Sequence, residues 1–311
     1  MITRRLPEQT VAAARSRFDV TYRDETTPLS PGDLRSALQN YDAILPTLGD
    51  QFRADVFKDV PQPRTKILAN FGVGYNHIDV AAARAAGLQV TNTPGAVTDA
   101  TADIALTLML MSARRAGEGE RLVRSGTWTG WHPTQMLGSP VTGKTVGIIG
   151  MGRIGQAIAR RCHFGFAMQV IFHNRSPLTL DLPAIQVPLA QVLKADFVVL
   201  AVPASPQTHH LIDAQSLGQM RPTAHLINIA RGDVVEEAAL IHALQNHQIA
   251  GAGLDVYEFE PKIPSALTAL ENVVLLPHLG TAALEVRQAM GQMAVNNLIA
   301  HLDGQPLPNP V

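Results

Sequence analysis

The sequence predicts an α/β fold with two domains, each a doubly wound parallel β-sheet with helices on both faces. Short apolar runs rich in β-branched residues alternate with helical stretches along most of the chain. A glycine-rich turn, Gly150-Met-Gly-Arg-Ile-Gly155, joins one such run to a helix. The 311 residues, 46% hydrophobic and 16% charged, suffice for two folded cores and exclude a disordered chain.

The first part of the chain, to about residue 95, predicts a small α/β domain. Strands are expected near residues 18–23, 42–46, 66–70 and 88–93, with helices at 31–40 and 80–86 between them. The loop Asn70-Phe-Gly-Val-Gly-Tyr-Asn-His-Ile-Asp79 follows the third strand, where open α/β sheets bind ligands. Its two glycines indicate either backbone N–H groups that bind an anion or a loop that needs glycine dihedral angles.

The middle of the chain predicts a long helix and an aromatic loop. The helix should begin near Thr98 and run through residues 104–111 towards Arg121. Because it is apolar on most sides, we expect it to be buried between domains or between subunits. The next loop contains both tryptophans, Trp128 and Trp131, which indicate an interface or a ligand-site wall, or simple packing against a helix.

The glycine-rich turn predicts dinucleotide binding in a Rossmann-type unit. Gly150 allows the tight turn, Gly152 lets a pyrophosphate approach the backbone, and Gly155 lets the helix pack closely on the strand. The amino end of the helix offers N–H groups to the phosphates. The alternative is a purely structural glycine turn, but the strand before it, the helix after it and the second apolar strand all favour a nucleotide.

The end of that second strand indicates which dinucleotide is preferred. An acidic residue there would bind the adenosine ribose and repel a 2′-phosphate, but the chain has Asn174, Arg175 and Ser176. Arg175 can pair with a phosphate and Ser176 can donate a hydrogen bond. We therefore expect a preference for NADP(H), with NAD(H) possible; the alternative is that Arg175 is an ordinary solvated surface residue.

Four further apolar runs, at residues 197–203, 225–230, 250–255 and 272–277, complete the second sheet. Unusual polar residues follow three of them, namely Arg231, Glu260 and His278. Parallel strands that end together direct such residues into one crevice. Taken alone, Arg231 could be a buried salt-bridge partner and His278 a core histidine.

Composition excludes several classes of protein. A net charge of −1 provides no general field for nucleic acid or acidic membranes. The amino terminus lacks a signal peptide, and no apolar run is long enough to span a bilayer, so we expect a cytoplasmic protein.

The single cysteine and a pair of adjacent histidines are interpreted as non-catalytic. Cys162 is expected to be a core residue rather than a catalytic thiol. His209 and His210 are interpreted as loop residues near the cofactor, because adjacent histidines seldom chelate one ion without further ligands, and no metal is expected.

Several motifs in order make the chain resemble the D-isomer-specific 2-hydroxyacid dehydrogenases over nearly its whole length. They are Asn70-Phe-Gly-Val-Gly, Gly150-Met-Gly-Arg-Ile-Gly, Asn228-Ile-Ala-Arg-Gly-Asp, Gly253-Leu-Asp-Val-Tyr-Glu-Phe-Glu-Pro and Pro277-His-Leu-Gly-Thr. Trp128-Thr-Gly-Trp-His-Pro-Thr, Leu137-Gly and Asn174-Arg-Ser look most like the NADPH-dependent glyoxylate/hydroxypyruvate reductases.

The resemblance implies roles for individual residues. Arg231 would hold a 2-oxo acid, His278 would be the general acid, and Glu260 would pair with His278. Glu258 is a rival for the pairing, but Glu260 directly precedes a proline, as the family's catalytic glutamate does. The substrate carboxylate would also accept hydrogen bonds from the backbone N–H groups of Val73 and Gly74. The implied cofactor-binding residues are Thr101, Gly150, Gly152, Arg153, Ile154, Gly155, Asn174, Arg175, Ser176, Val202, Pro203, Thr208, Ile229, Ala230, Asp255 (on the nicotinamide carboxamide) and Gly280.

The resemblance also implies the domain organisation and the activity. A flavodoxin-like substrate domain would comprise residues 1–95 plus 283–311, and a Rossmann cofactor domain residues 96–282, with a cleft and a hinge between them. The expected function is reduction of glyoxylate and hydroxypyruvate to D-2-hydroxy acids by an NADPH-preferring homodimer. Two alternatives are a reductase of larger sugar acids such as 2-ketogluconate and a non-catalytic protein that senses nucleotides.

Overall fold

The computed structural model describes residues 1–311 and divides them into two units. One unit comprises residues 1–97 and 282–311, and the other residues 98–281. Ten strands and twelve α-helices alternate along the chain, with a π-helical turn at Arg161–Gly165 and a 3-10 turn at Gly232–Val234. No helix combines the length and the apolar character that crossing a membrane requires.

The elements have the following bounds. The strands are β1 Ala43–Ile44, β2 Ile67–Ala69, β3 Gln89–Thr91, β4 Thr145–Ile149, β5 Gln169–His173, β6 Ala184–Gln186, β7 Phe197–Leu200, β8 His225–Asn228, β9 Gly251–Leu254 and β10 Val273–Leu275. The helices are α1 Glu8–Arg15, α2 Pro31–Asn40, α3 Ala54–Lys58, α4 Val80–Ala85, α5 Thr98–Ala113, α6 Ala116–Arg124, α7 Arg153–Arg160, α8 Leu189–Val192, α9 Ala214–Gly218, α10 Glu237–Gln245, α11 Ser265–Thr268 and α12 Leu284–Leu302.

The first unit is built on the parallel sheet β1-β2-β3. Single parallel bridges from Ile2 to Tyr22 and to Leu45 extend it, which gives the flavodoxin-like order 2-1-3-4-5 when these short segments are counted as strands. The strand expected at residues 18–23 is therefore wrong in extent. The segment lies at the sheet edge, where only Ile2 is available as a partner, so pairing is limited to Tyr22.

The helices of the first unit follow local signals in the sequence. Ser30 and Asp33 form a capping box at the start of α2, with Pro31 in its first turn. The Asp79 side chain accepts a hydrogen bond from the Ala82 N–H at the start of α4. The carboxyl-terminal helix α12 packs on α1 and β2, so the end of the chain belongs to this unit.

The second unit contains a seven-stranded parallel sheet in the order β10-β9-β8-β7-β4-β5-β6. The chain winds outward from β4 in both directions, so the order reverses between β4 and β7 and leaves a crevice at their carboxyl ends. Six strands were expected, and the structure adds the edge strand β6, only three residues long. Hydrophobic clusters cover both faces of this sheet, and Cys162 lies fully buried in one of them. Burial raises the pKa of the Cys162 thiol to about 12, which suits an inert core residue.

The long helix expected to run from Thr98 towards Arg121 is two helices. The first, α5, ends at Ala113, and Arg115 adopts a left-handed φ of 53° before α6 begins. Within this unit α5 packs on β8, β9 and α7, and these contacts bury much of its apolar surface. Its expected position between domains or between subunits stays a prediction.

Candidate active site

The three polar strand-end residues lie at neighbouring strands of the second sheet. Strands β8, β9 and β10 are parallel and adjacent, so the segments that follow them emerge at the same edge. Arg231 follows β8, Glu260 follows β9 and His278 follows β10. The fold thus brings to one place residues that lie far apart in the sequence.

A glycine lets the arginine turn pack directly on the glutamate segment. A Cβ atom on Gly232 would lie 1.8 Å from the carbonyl carbon of Tyr257, so no other residue fits without moving the backbone. Asn228 shapes the turn, because its side chain donates to the Arg231 carbonyl at 2.9 Å and accepts from the Ala230 N–H at 3.0 Å. Sequence reasoning assigned no role to Gly232 or Asn228, although both stand in the quoted Asn-Ile-Ala-Arg-Gly-Asp motif.

The turn places the arginine among carboxylates. Burial lowers the pKa of the Arg231 guanidinium, and the nearby carboxylates of Glu260 and Asp233 oppose that effect. Its Nη1 donates to the Ala230 carbonyl at 2.7 Å. A planar cation fixed in this way is suited to binding a carboxylate with two parallel hydrogen bonds.

The structure brings His278 and Glu260 into direct contact. Nδ1 of His278 lies 2.9 Å from Oε2 of Glu260, and Oε1 of Glu260 accepts from the Tyr257 N–H at 3.0 Å. Burial raises the pKa of the Glu260 carboxyl, but the hydrogen bond and charge of His278, the Tyr257 N–H and the Arg231 charge together bring it below its usual value. With 29% of the His278 side chain exposed, its second ring nitrogen, Nε2, is accessible to a ligand.

The rival carboxylate has another partner. Glu258 lies 2.8 Å, through Oε1, from Nε2 of His210, and its Oε2 accepts from the Glu237 N–H at 3.2 Å. Both of its oxygens therefore have partners other than His278. The geometry assigns to His278 the partner that the position before Pro261 had indicated.

A buried aspartate holds the loop that contains His278. Asp255 is 1% exposed, and its two oxygens accept from the N–H groups of Leu279 and Gly280 at 2.6 and 2.7 Å. Burial raises the pKa of its carboxyl, while the two N–H donors oppose that shift. These bonds fix the backbone next to His278, which has a left-handed φ of 55°. The expected contact of Asp255 with the nicotinamide carboxamide stays a prediction.

Two further side chains support the same loop. The Tyr257 hydroxyl donates to the Leu276 carbonyl at 2.8 Å, and the Thr101 hydroxyl donates to the Gly280 carbonyl at 3.0 Å. Sequence reasoning did not single out Tyr257. Its hydroxyl gives no signal of its own in the sequence, because the partner carbonyl is 19 residues away.

The glycine-rich turn has the shape that a dinucleotide requires. Gly150 has a φ of 98°, and a Cβ atom there would lie 2.7 Å from the Ala201 carbonyl oxygen. A Cβ atom on Gly155 would lie 2.1 Å from the Gly150 carbonyl oxygen, whereas one on Gly152 would meet nothing within 4 Å. The turn is thus compact inside and open at Gly152, where α7 presents the N–H groups of its first residues, Arg153 and Ile154. These residues fit a pyrophosphate.

The loop after β5 lies beside this turn. The Asn174 side chain accepts from the Met151 N–H at 3.3 Å and donates to the Ser176 carbonyl at 3.1 Å. Gln186 of the unexpected strand β6 donates to the carbonyls of Asn174 and Ser176 at 3.0 and 3.2 Å. Arg175 is exposed and has no hydrogen bond or ion pair within the chain, so its guanidinium is available to a ligand.

The remaining expected cofactor residues follow β7 and β8. Val202, Pro203 and Thr208 belong to one loop, in which the Thr208 hydroxyl donates to the Pro203 carbonyl at 2.8 Å. Ile229 and Ala230, each 6% exposed, directly follow β8. All five residues come after the carboxyl ends of strands that flank or neighbour the crevice.

In the first unit, two asparagines orient the glycine loop. Asn70 donates to the carbonyls of Gly72 and Gly74 at 3.0 and 3.1 Å, and Asn92 donates to the Val73 carbonyl at 2.8 Å. Because N–H and C=O point in opposite directions across a trans peptide, the N–H groups of Val73 and Gly74 point away from these amides. Neither N–H has a hydrogen-bond acceptor in the chain. Two free N–H groups on consecutive residues suit an anion.

Comparisons with known proteins agree with this architecture. The family model described as "D-isomer specific 2-hydroxyacid dehydrogenase, NAD binding domain" matches residues 106–280. The glyoxylate reductase of Thermococcus onnurineus is 43% identical over 316 residues, 99% of this chain and 94% of the relative, and that of Pyrococcus furiosus is 44% identical over 312 residues, 98% and 92%.

Solved structures are also similar over the full length. The TT0316 protein of Thermus thermophilus has a TM-score of 0.92 and 41% identity, with 100% of this chain and 98% of that chain covered. An NADPH-dependent glyoxylate/hydroxypyruvate reductase of Sinorhizobium meliloti, in complex with NADP and malonate, has a TM-score of 0.88 and 34% identity, with 100% and 95% covered.

Proposed function

The chain belongs to the D-isomer-specific 2-hydroxyacid dehydrogenase family, and we propose that it reduces glyoxylate and hydroxypyruvate, giving the D-hydroxy acid where a stereocentre forms. The observation that carries this proposal is the His278–Glu260 pair at 2.9 Å, next to a strand-end arginine. A cation for a carboxylate and a proton donor for the adjacent carbonyl are the groups that reduction of a 2-oxo acid needs.

Each residue has one task in this mechanism. A bound nicotinamide dinucleotide supplies the hydride that reduces the carbonyl carbon. Arg231 holds the substrate through its carboxylate. Because Nδ1 of His278 faces Glu260, Nε2 is the nitrogen that donates the proton to the carbonyl oxygen. The Glu260 carboxylate favours the protonated ring and fixes its orientation.

The first unit carries the other residues that we assign to substrate binding. The free N–H groups of Val73 and Gly74 would bind the carboxylate end of the substrate. Residues 1–95 with 283–311 would then form the substrate-binding domain, and residues 96–282 the dinucleotide-binding domain. The assignment of dinucleotide binding to the second domain is supported by the glycine-rich turn at Gly150, which lies in the second unit.

We propose NADPH as the preferred reductant. Arg175 is exposed and free of partners, and Ser176 is held next to it by the hydrogen bonds to its carbonyl. A guanidinium and a hydroxyl at the ribose end suit a 2′-phosphate, and no carboxylate repels it there. The relative from Sinorhizobium meliloti is described as NADPH-dependent.

We also propose a cytoplasmic homodimer. Helix α6 has no buried residue, and the side chains of Val123, Trp128, Trp131 and Leu137 are 61%, 50%, 78% and 67% exposed. An apolar surface of this kind, which includes the two tryptophans, is typical of a protein interface. The exposure of both tryptophans favours an interface over the alternative from the sequence, simple packing against a helix.

The experiment that tests the function measures the loss of reduced-nicotinamide absorbance with glyoxylate and hydroxypyruvate, with NADPH and NADH side by side. Faster oxidation of NADPH supports both the site and the preference, and faster oxidation of NADH rejects the preference alone.

The role of His278 is tested with two variants, His278→Ala and His278→Asn. The asparagine variant controls for backbone strain, because asparagine tolerates the left-handed backbone of this position. We expect its turnover, like that of His278→Ala, to fall by roughly a hundredfold or more. Normal turnover in both variants would remove His278 from its role as proton donor.

A further inference from the structure

The loop after β7 brings two adjacent histidines side by side. Neighbouring residues in regular structure point in different directions, but His210 has a left-handed φ of 49°. The rings of His209 and His210 consequently stack, with centroids 4.0 Å apart and planes at 29°. Both side chains therefore lie on the same side of the loop, and one ring must turn for its nitrogen lone pair to meet an ion bound by the other.

Glu258 supplies a third donor from a different segment. Its Oε1 lies 2.8 Å from Nε2 of His210, and its Oε2 is held by the N–H of Glu237 at 3.2 Å. Only 14% of the Glu258 side chain is exposed, so the carboxylate is fixed before any ligand arrives. One donor atom from each of His209, His210 and Glu258 lies within 4.8 Å of the others.

We propose that His209, His210 and Glu258 bind a divalent transition-metal ion with the preferences of Zn²⁺. Two imidazoles and one carboxylate form a donor set that zinc uses together with a water molecule, whereas Mg²⁺ and Ca²⁺ prefer oxygen donors throughout. Metal–ligand bonds of about 2.1 Å place the ligand atoms of a tetrahedral site roughly 3.4 Å apart. The three atoms here lie within 4.8 Å of one another, so one of them must move by about an ångström when the ion binds. His209 is exposed and can do this by rotating its side chain.

This ion site is separate from the proton-donating pair. Glu258 faces His210, and Glu260 faces His278, although only one residue separates the two glutamates. An ion replaces the direct His210–Glu258 hydrogen bond, while the Glu258–Glu237 hydrogen bond holds the segment in place. Binding of the ion therefore does not depend on the proposed function.

The test uses the full chain, freed of metal, and titrates it with Zn²⁺ in a calorimeter and with Co²⁺ while visible absorption is recorded. We expect one ion per chain and a tetrahedral Co²⁺ spectrum. Removing a ligand in His209→Ala should weaken Zn²⁺ binding on the order of tenfold or more. The control is His247→Asn, which removes an exposed histidine outside the cluster and should bind Zn²⁺ as the unmodified chain does. Asparagine is chosen because this position has a left-handed φ of 51°.

Two results would overturn the proposal. One is an unchanged affinity in His209→Ala. The other is an affinity that survives in His209→Ala but is lost in His278→Asn, since the ion would then lie on the His278–Glu260 pair. Zn²⁺ binding by a chain that turns over no 2-oxo acid would support the ion site and reject the reductase function, so the two failures are distinguishable.

Discussion

Replacing Glu260 by glutamine tests the electrostatic role of the carboxylate without changing its shape. In the structure, Oε2 of Glu260 lies 2.9 Å from Nδ1 of His278, while Oε1 accepts from the Tyr257 N–H at 3.0 Å. Glutamine retains an oxygen for the Tyr257 N–H and loses the negative charge. The variant therefore removes the attraction that favours the protonated ring and leaves the size of the side chain unchanged.

The geometry sets the size of the effect. Two unit charges about 4 Å apart attract by about 4 kcal/mol at an effective dielectric constant of about 20. The side chains of His278 and Glu260 are 29% and 31% exposed, so solvent screens part of this attraction. After that discount we expect about 1.4 to 2.8 kcal/mol, which equals about a ten- to hundredfold change in rate.

The assay measures kcat/KM for a 2-oxo acid at saturating NADPH and at one fixed pH. Reduction needs a proton from the ring, and the neighbouring carboxylate stabilises the charge of the ring that carries it. In Glu260→Gln, kcat/KM should fall about ten- to hundredfold. Glu258→Gln is the matched control, because it removes a charge from the same segment that is paired with His210 instead.

An unchanged kcat/KM in Glu260→Gln would refute this reasoning, because the carboxylate would then contribute nothing to proton donation by the ring. An equal fall of kcat/KM in Glu258→Gln would refute it as well. A general change of charge in the segment, rather than the direct pair, would then be the cause.

Four further outcomes are expected. Arg175→Ala should weaken NADPH binding about tenfold and leave NADH binding nearly unchanged, measured by fluorescence titration; equal losses would contradict a 2′-phosphate contact. Gly232→Ala should lower the free energy of unfolding by about 3 kcal/mol in urea, because its Cβ overlaps the Tyr257 backbone; unchanged stability and activity would reject this packing. Burial lowers the pKa of His225 from 6.5 to about 4, so its neutral form stabilises the fold above pH 6.5 and this contribution is lost as the pH falls towards 4. The free energy of unfolding should therefore drop by about 2 kcal/mol from pH 7 to 5. A drop of equal size in His225→Phe would argue against His225 as its origin. Trp131→Asp should convert a dimer into monomers in analytical ultracentrifugation, and a dimer that persists would place the interface elsewhere.

Local signals in the sequence predicted most of the cofactor-binding architecture. The turn at Gly150, the helix that follows it and the flanking strands are adjacent in the chain, so one continuous motif encodes their geometry. The parallel sheet was predictable for a similar reason, because apolar runs separated by helices can pair only through crossovers. Residues 31–40 formed a helix as expected, because Ser30 and Asp33 cap it locally.

Errors arose where a segment's surroundings decide its structure. No proline interrupts the chain between Thr98 and Arg121, but a left-handed residue at Arg115 separates α5 from α6. Residues 18–23 have a strand-like composition and obtain only one bridge, because they lie at an edge. The three-residue strand β6 has too few residues for a detectable pattern, yet its Gln186 supports the loop that carries Arg175.

The fold class, the turn for the dinucleotide and the set of polar residues at the strand ends depend on local order along the chain, so they could be predicted from it. Contacts between distant segments could not: these establish which glutamate meets His278, that Asp255 and Tyr257 hold its loop, and that Glu258 contacts His210. These contacts join segments 18 to 48 residues apart. Such distances are closed by the packing of neighbouring strands and by the absence of a side chain at Gly232, which no local pattern specifies.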